Sequence, residues 1–96
     1  MRVMLRATMD TEKANELIRS GKLPQLMQET MERLKPEATY FTTYEGSRAC
    51  YMVFDLQDSS RIPVIAEPFF TELGARIDLS PVMNAEDLHK GLSQLG

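Results

Sequence analysis

The fold is decided by residues 38–56, which have the sequence ATYFTTYEGSRACYMVFDL. Aromatic and β-branched residues, which favour extended strands, occur in both halves of this stretch. Residues 45–47, EGS, form a short turn between the halves, because the glycine tolerates a positive φ. We therefore predict a β-hairpin with strands at residues 38–44 and 48–56. The second strand is apolar with little alternation, which is typical of a central strand covered on both faces.

The segments on either side of this hairpin complete a β-α-β-β-α-β order. Residues 2–9 and 75–81 alternate in side-chain type, which is the period of a half-covered strand. Apolar residues at helical spacing, with Gly or Pro at the ends of the runs, predict the helices. The expected helices span residues 11–20 and 23–35, a stretch after Ser60 that ends at Leu73, and a tail at 85–95. This is the ferredoxin-like α+β plan: a four-stranded antiparallel sheet with helices on one face, in a single domain of residues 1–96.

Three features indicate where helices begin or break. Thr11 precedes the first helical run and is a suitable N-cap, since its hydroxyl can accept a hydrogen bond from a free backbone N–H. Asn84 and Asp87 have the spacing of a capping box at the start of the tail helix. Pro68 has no backbone N–H to donate, so we expect it to break or kink the helix that ends at Leu73.

Composition and charge narrow the class of protein. Ninety-six residues with 43% hydrophobic side chains suffice for one small core, at a size where a partner chain often completes the burial of apolar surface. The net charge is −3 and the basic residues are scattered, which argues against a nucleic-acid partner. No apolar run reaches the length of a membrane span, and residues 2–9, interrupted by Arg6, are too short for a signal peptide. We expect a soluble cytoplasmic protein without membrane association and, with one cysteine, without an internal disulfide.

Three stretches in the second half of the chain resemble the dimeric α/β-barrel superfamily. They are residues 51–56 (YMVFDL), a helix that holds Phe69 and Phe70, and residues 76–83 (RIDLSPVM). A strand ending in an acidic residue, a helix closing near aromatic residues and a strand running into Pro-Val-Met are similar to a group of short uncharacterised bacterial proteins of that superfamily. More distantly, they are similar to the muconolactone isomerase type of barrel. The resemblance, which covers nearly the whole chain at the level of fold, implies a homodimer whose two sheets enclose a barrel-like space.

The resemblance implies several activities and assigns no catalytic residue. No catalytic position of the isomerase type matches a residue of this chain. The superfamily also includes cofactor-free monooxygenases and haem-binding enzymes. A haem enzyme needs a histidine in its pocket, whereas the only histidine here, His89, lies in the predicted tail helix. We therefore expect no cofactor, and whether the protein is an enzyme stays open.

The candidate binding site lies on the sheet face that points away from the helices. Alternation places Arg6, Thr8, Arg76 and Asp78 on that face, and the hairpin adds Tyr40, Tyr44, Arg48 or Tyr51, depending on its register. Arginines beside tyrosines can hold a small carboxylate, since a guanidinium binds that group with two hydrogen bonds. An Arg6–Asp78 ion pair that sets the register or bridges a dimer is the alternative. The predicted ligand-binding residues are Arg6, Tyr40, Arg48, Tyr51, Arg76 and Asp78.

Other candidate residues have simpler structural explanations. His89 follows Glu86 at a metal-ligand spacing, but a single Glu-x-x-His is half of a site, so we expect a surface histidine and no metal. Cys50 and the Phe69-Phe70 pair are expected in the core. The sequence thus predicts a dimer that binds a small organic molecule, compatible with an anion, between sheet and helices. A structural or interaction module that only dimerises, and a cofactor-independent isomerase or monooxygenase, are the alternatives.

Overall fold

The computed structural model describes all residues from 1 to 96. Four strands and four helices follow the predicted order. The strands are β1 (Arg2–Thr8), β2 (Ala38–Tyr44), β3 (Ser47–Asp55) and β4 (Arg76–Pro81), and the helices are α1 (Thr11–Arg19), α2 (Lys22–Leu34), α3 (Ile62–Leu73) and α4 (Ala85–Leu92). Short 3-10 turns at Ser59–Arg61 and Ser93–Leu95 precede α3 and follow α4.

The strands form one antiparallel sheet in the order β2-β3-β1-β4. β1 therefore lies between β3 and β4, as the predicted ferredoxin-like plan implies, and β2 and β4 form the two edges. This strand order, with β-α-β-β-α-β connections, is the ferredoxin-like arrangement. The predicted fold class, α+β with a four-stranded antiparallel sheet, is confirmed.

The hairpin turn is one residue shorter than predicted. Tyr44 pairs with Ser47, so Glu45 and Gly46 are the only loop residues. Their φ angles are 50° and 80°. Positive φ at both positions is typical of a type I′ turn, whose twist matches the right-handed twist of the flanking strands. The turn length sets the hairpin register, and the register decides which residues of β3 face the helices.

The N-cap of α1 is not the residue that the sequence predicted. The carboxylate of Asp10 accepts a hydrogen bond from the backbone N–H of Lys13 at 3.0 Å, and Thr11 is the first helical residue. Asp10 competes successfully because it stands one position earlier, where the backbone is still extended. At α4 the capping box of Asn84 and Asp87 is confirmed in both directions.

α3 is continuous through Pro68, so the predicted break is wrong. Ile65, Phe69 and Leu73 on the same helix are all buried in the core. Because most helix stability in proteins comes from packing of an apolar face, this burial outweighs the hydrogen bond that proline cannot donate. The helix ends at Gly74, whose φ of 54° allows a left-handed C-cap.

The hydrophobic core lies between one face of the sheet and the helices α1, α2 and α3. The central strands contribute alternate residues that are almost fully buried: Val3, Leu5, Ala7, Cys50, Met52 and Phe54. Phe69 is also buried, whereas the adjacent Phe70 is 43% exposed, so only one of the two phenylalanines fills the core.

The opposite face of the sheet, called the open face from here on, carries no helix of this chain. By the strand register it consists of Arg2, Met4, Arg6, Thr8, Ala38, Tyr40, Thr42, Tyr44, Ser47, Ala49, Tyr51, Val53, Asp55, Arg76, Asp78 and Ser80. Tyr51 and Val53 of β3 are only half-buried. Within one chain β3 is therefore covered on one face, not on both as its apolar sequence predicts.

α4 extends away from the rest of the domain. None of its residues is buried, and the ion pair between Arg2 Nη1 and Asp87 Oδ2, at 3.5 Å, is its only salt bridge to the sheet. The molecule measures 55 × 27 × 18 Å and its radius of gyration is 15.2 Å. A compact domain of this length has a radius of gyration of about 12.5 Å. None of the helices combines the length and the apolar character that crossing a bilayer requires.

Candidate functional site

The register of the sheet brings five of the six predicted site residues together on the open face. Arg6 lies in the centre of β1, opposite Tyr51 on β3 and Asp78 on β4. Tyr40 pairs with Tyr51 across the hairpin, and Arg76 lies on the same face of β4, two residues from Asp78. Strands from both halves of the chain thus build this cluster.

Arg48 does not belong to the open face. It pairs with Thr43, on the side of the hairpin that also carries Phe41 and the buried Cys50. Because side chains alternate along a strand, this side faces the helices, and Arg48 lines a groove there. The sequence left open whether Arg48 or Tyr51 lies on the open face, and the two-residue turn selects Tyr51.

Arg6 is the centre of the cluster. Its Nη2 donates a hydrogen bond to Asp78 Oδ2 at 2.7 Å, and its guanidinium carbon lies 3.8 Å from the centroid of the Tyr44 ring. Tyr44 belongs to β2, so its ring reaches across β3 to make this cation–π contact. Arg6 Nε is buried and has no hydrogen-bond partner, so one strong donor of the site is unused.

The arginines of the open face are already matched by carboxylates. The pKa of Arg6 lies above its ordinary value because it donates a hydrogen bond to Asp78, and this outweighs the opposing effect of desolvation. Arg76 lies 3.8 Å from Glu45, and both of these side chains are mostly exposed. The ion pair that the sequence offered as an alternative to a carboxylate site is therefore formed within one chain, so a ligand anion would compete with Asp78.

A shallow pocket of about 260 Å³ lies beside Arg6 on the open face. Its polar lining consists of Arg6, Thr8, Tyr44, Glu45, Arg76 and Asp78. Two cations face two anions, so the lining has no net charge. Thr8, Tyr44 and Glu45 were not among the six predicted ligand-binding residues. Alternation already placed Thr8 on this face and named Tyr44 as a candidate from the hairpin, whereas Glu45 joins it only through the turn.

His89 and Cys50 lie outside this cluster. His89 is exposed on α4, and the structure contains no group of three or more His, Cys, Asp and Glu side chains that could hold a metal ion. Cys50 faces the core, and burial raises the pKa of its thiol to about 11. The thiol is therefore protonated at neutral pH, whereas an activated cysteine nucleophile has a lowered pKa.

A second pocket, of about 310 Å³, lies where α2 ends. Arg33, Lys35 and Arg61 line it together with Asp55, whose carboxylate binds the amino group of Met1 at 2.7 Å. No sequence pattern brings these three cations together, because they come from separate segments of the chain. Arg33 and Lys35 lie at the C-terminal end of α2, where positive charge stabilises the helix dipole. This role accounts for Arg33 and Lys35 without a ligand.

Comparisons with known proteins add little to the geometry. No protein-family model matches the chain, and no curated protein matches it. Among solved structures it is similar to the de novo designed protein Ferredog-Diesel, with a TM-score of 0.48 and 10% sequence identity over 84% of this chain and 85% of the designed one. The class of protein, a small ferredoxin-like α+β domain, therefore follows from the strand order and register described above.

Proposed function

We propose that the protein is a homodimer in which the open faces of two chains meet, as in the dimeric α/β-barrel superfamily, and enclose a space that binds a small organic molecule. The observation that carries this proposal is the uncovered sheet face with a cluster of tyrosines around Arg6. Tyr40 is 69% exposed in the single chain, and Tyr51 and Val53 are half-buried. A contiguous surface of this kind on a soluble protein usually marks an interaction or ligand site.

The chemistry of the open face favours a mostly apolar ligand with one polar group. Tyrosine rings supply an apolar wall and a hydroxyl, while Arg6 Nε is a donor without a partner. A compound with several negative charges fits poorly, because Asp78 and Glu45 balance the two arginines of the pocket. A single carboxylate can take the place of Asp78 beside Arg6, since both offer the same two-oxygen acceptor.

A module that dimerises without binding a ligand is the second candidate. The 2.7 Å contact between Arg6 and Asp78 favours it, because a pre-formed ion pair needs no external anion. In that case the open faces would fill each other and leave no space for a small molecule.

The experiment that tests the first proposal uses the tyrosines as reporters. The chain has three tyrosines, all on the open face, and no tryptophan, so its intrinsic fluorescence reports on this face. We expect cyclohexanecarboxylate, which is transparent at the excitation wavelength, to change this fluorescence and bind more tightly than neutral cyclohexanemethanol. Arg6→Ala is expected to weaken carboxylate binding at least tenfold, because the cation that meets the anion is removed.

Arg48→Ala is the matched control, because this arginine lies on the opposite side of the sheet. It should leave carboxylate affinity unchanged, and Tyr40→Ala, at a largely exposed position, should weaken binding without unfolding the domain. Light scattering at micromolar concentration checks the dimer in the same samples. A dimer that binds neither compound supports the second candidate, and a monomeric mass contradicts both.

A further inference from the structure

α4 presents an apolar face that nothing in its own chain covers. Leu88 and Leu92 of α4 and Leu95 of the 3-10 turn that continues it lie on one side, and they are 46%, 56% and 83% exposed. Lys90 lies on the opposite side. A helical segment this short is marginal in water unless tertiary packing supports it. The capping box of Asn84 and Asp87 defines where the helix starts, and a surface that covers the leucine face would stabilise it further.

The same chain has an uncovered apolar groove. It has a volume of about 510 Å³ and lies where α1 and α2 meet the edge strand β2. Its apolar lining includes Met9, Ile18, Leu23, Met27, Met31 and Phe41. Ile18 is 46% exposed and Phe41 is 58% exposed, so the apolar residues of the groove are about as exposed as the leucines of α4.

α4 cannot fill the groove of its own chain. The backbone N–H of Val82 donates to the carbonyl of Arg2, and Asp87 pairs with Arg2, so α4 begins beside the first residue of β1. The groove lies past the other end of β1, at Met9, and at the opposite edge of the sheet. A seven-residue strand and three strand spacings separate these corners by roughly 27 Å. The eight residues of α4 and the three of the following 3-10 turn together extend only about 18 Å.

The single chain exposes more surface than a compact monomer of its mass. Its accessible surface is 6513 Å², whereas a compact protein of 10.9 kDa exposes about 5,600 Å². The excess, roughly 900 Å², is close to the 800 Å² or so that each partner buries in a stable specific interface. The surface that the chain leaves uncovered, including the leucine face of α4, is therefore large enough for a stable dimer.

We propose that in the homodimer α4 of each chain lies in the apolar groove of the other chain, with Leu88, Leu92 and Leu95 against Phe41 and the α2 methionines. The exchange is reciprocal, so it closes as a twofold-symmetric pair and does not propagate into a chain of molecules. This inference rests on the proposed homodimer and adds which segments hold it together.

Mixed cross-linking of full-length chains tests the exchange directly. One chain carries Leu92→Cys and a second, distinguishable by mass, carries Phe41→Cys, and the native Cys50 is buried and protonated at neutral pH. A short bis-maleimide should join the two chains at least tenfold faster than it joins Lys90→Cys chains to Phe41→Cys chains. Lys90 provides the matched control on the polar side of α4.

A second pair of variants checks the energetic role of α4. Leu92→Gln should raise the dimer dissociation constant at least tenfold, whereas Lys90→Gln should leave it unchanged; no residue of α4 is in the core, so both chains should fold. Equal cross-linking at positions 92 and 90 in a protein that is dimeric by light scattering overturns the exchange and leaves the homodimer standing. A monomeric wild-type chain overturns both.

Discussion

The environment of Arg6 depends on two residues far away in the sequence. Asp78 is 72 residues away and binds the guanidinium, and Tyr44 covers it from two strands away. With these neighbours the positive charge of Arg6 is already neutralised by Asp78 before any ligand binds. An arginine beside tyrosines in a sequence is thus compatible with a carboxylate site, but the sheet partners decide how much of its charge is available.

The thiol of Cys50 can be used to test the burial of the core, because its pKa depends on that burial. Burial raises the pKa of its thiol from 9.0 to about 11, so the folded state keeps the proton that the unfolded state loses. The contribution of this residue to the free energy of unfolding is complete below pH 9 and declines as the pH rises towards 11. Between pH 8 and pH 10.5 the loss should be about 2 kcal/mol.

Urea unfolding of wild type and Cys50→Ala at these two pH values measures the effect. The alanine variant lacks the thiol, so its stability should fall less over the same interval, by about 2 kcal/mol. Other groups titrate equally in both proteins, and the comparison therefore isolates the cysteine. An identical pH dependence in the two proteins would show that Cys50 is not buried as described.

At the scale of the elements, two neighbouring residues, Asp10 and Thr11, are candidates for the N-cap of α1. Asp10→Ala should lower the free energy of unfolding by about 1 kcal/mol, because the N–H of Lys13 loses its acceptor. Thr11→Ala should change it by less than about 0.5 kcal/mol, since Thr11 is inside the helix and does not cap it. Thermal or urea unfolding of the two variants checks this, and a larger effect at Thr11 would reverse the assignment.

α3 and the hairpin show two ways in which a prediction from neighbouring residues can fail. Pro68 has the local property of a helix breaker, yet the packing of Phe69 and Leu73 holds the helix together. In the hairpin, the glycine at position 46 correctly indicates the turn, but the sequence did not distinguish a two-residue from a three-residue loop. The one-residue difference in loop length matters, because it decides on which side of the sheet Arg48 lies.

At the scale of the whole molecule, the single chain leaves three surfaces uncovered: the open face, the leucine side of α4 and the apolar groove. If they are buried in a homodimer, folding and association are coupled, and the melting temperature must depend on protein concentration. A tenfold increase in concentration should raise it by roughly 4 °C for a dimer of this size.

Differential scanning calorimetry over a hundredfold range of concentration provides this measurement. Leu92→Gln should need about ten times the wild-type concentration to reach the same melting temperature, because its dimer is tenfold weaker, while Lys90→Gln should follow the wild-type curve. A melting temperature that is independent of concentration would mean that the chain is stable alone and that the uncovered surfaces serve another purpose.

The element order, the antiparallel hairpin and the ends of most helices could be predicted from the sequence, because each depends on residues close together in the chain. Alternation identified β1 and β4, and the Asn84–Asp87 spacing identified the start of α4. The same alternation placed Arg6, Arg76 and Asp78 correctly on one face.

The remaining features depend on contacts between distant segments. The Arg6–Asp78 ion pair, the Tyr44 ring above Arg6 and the continuity of α3 through Pro68 all require partners that only folding brings together. The detachment of α4 from the domain is of the same kind, since its leucines have the helical spacing of a core-facing helix. A local pattern specifies which face of an element is apolar, and the three-dimensional arrangement determines what that face meets.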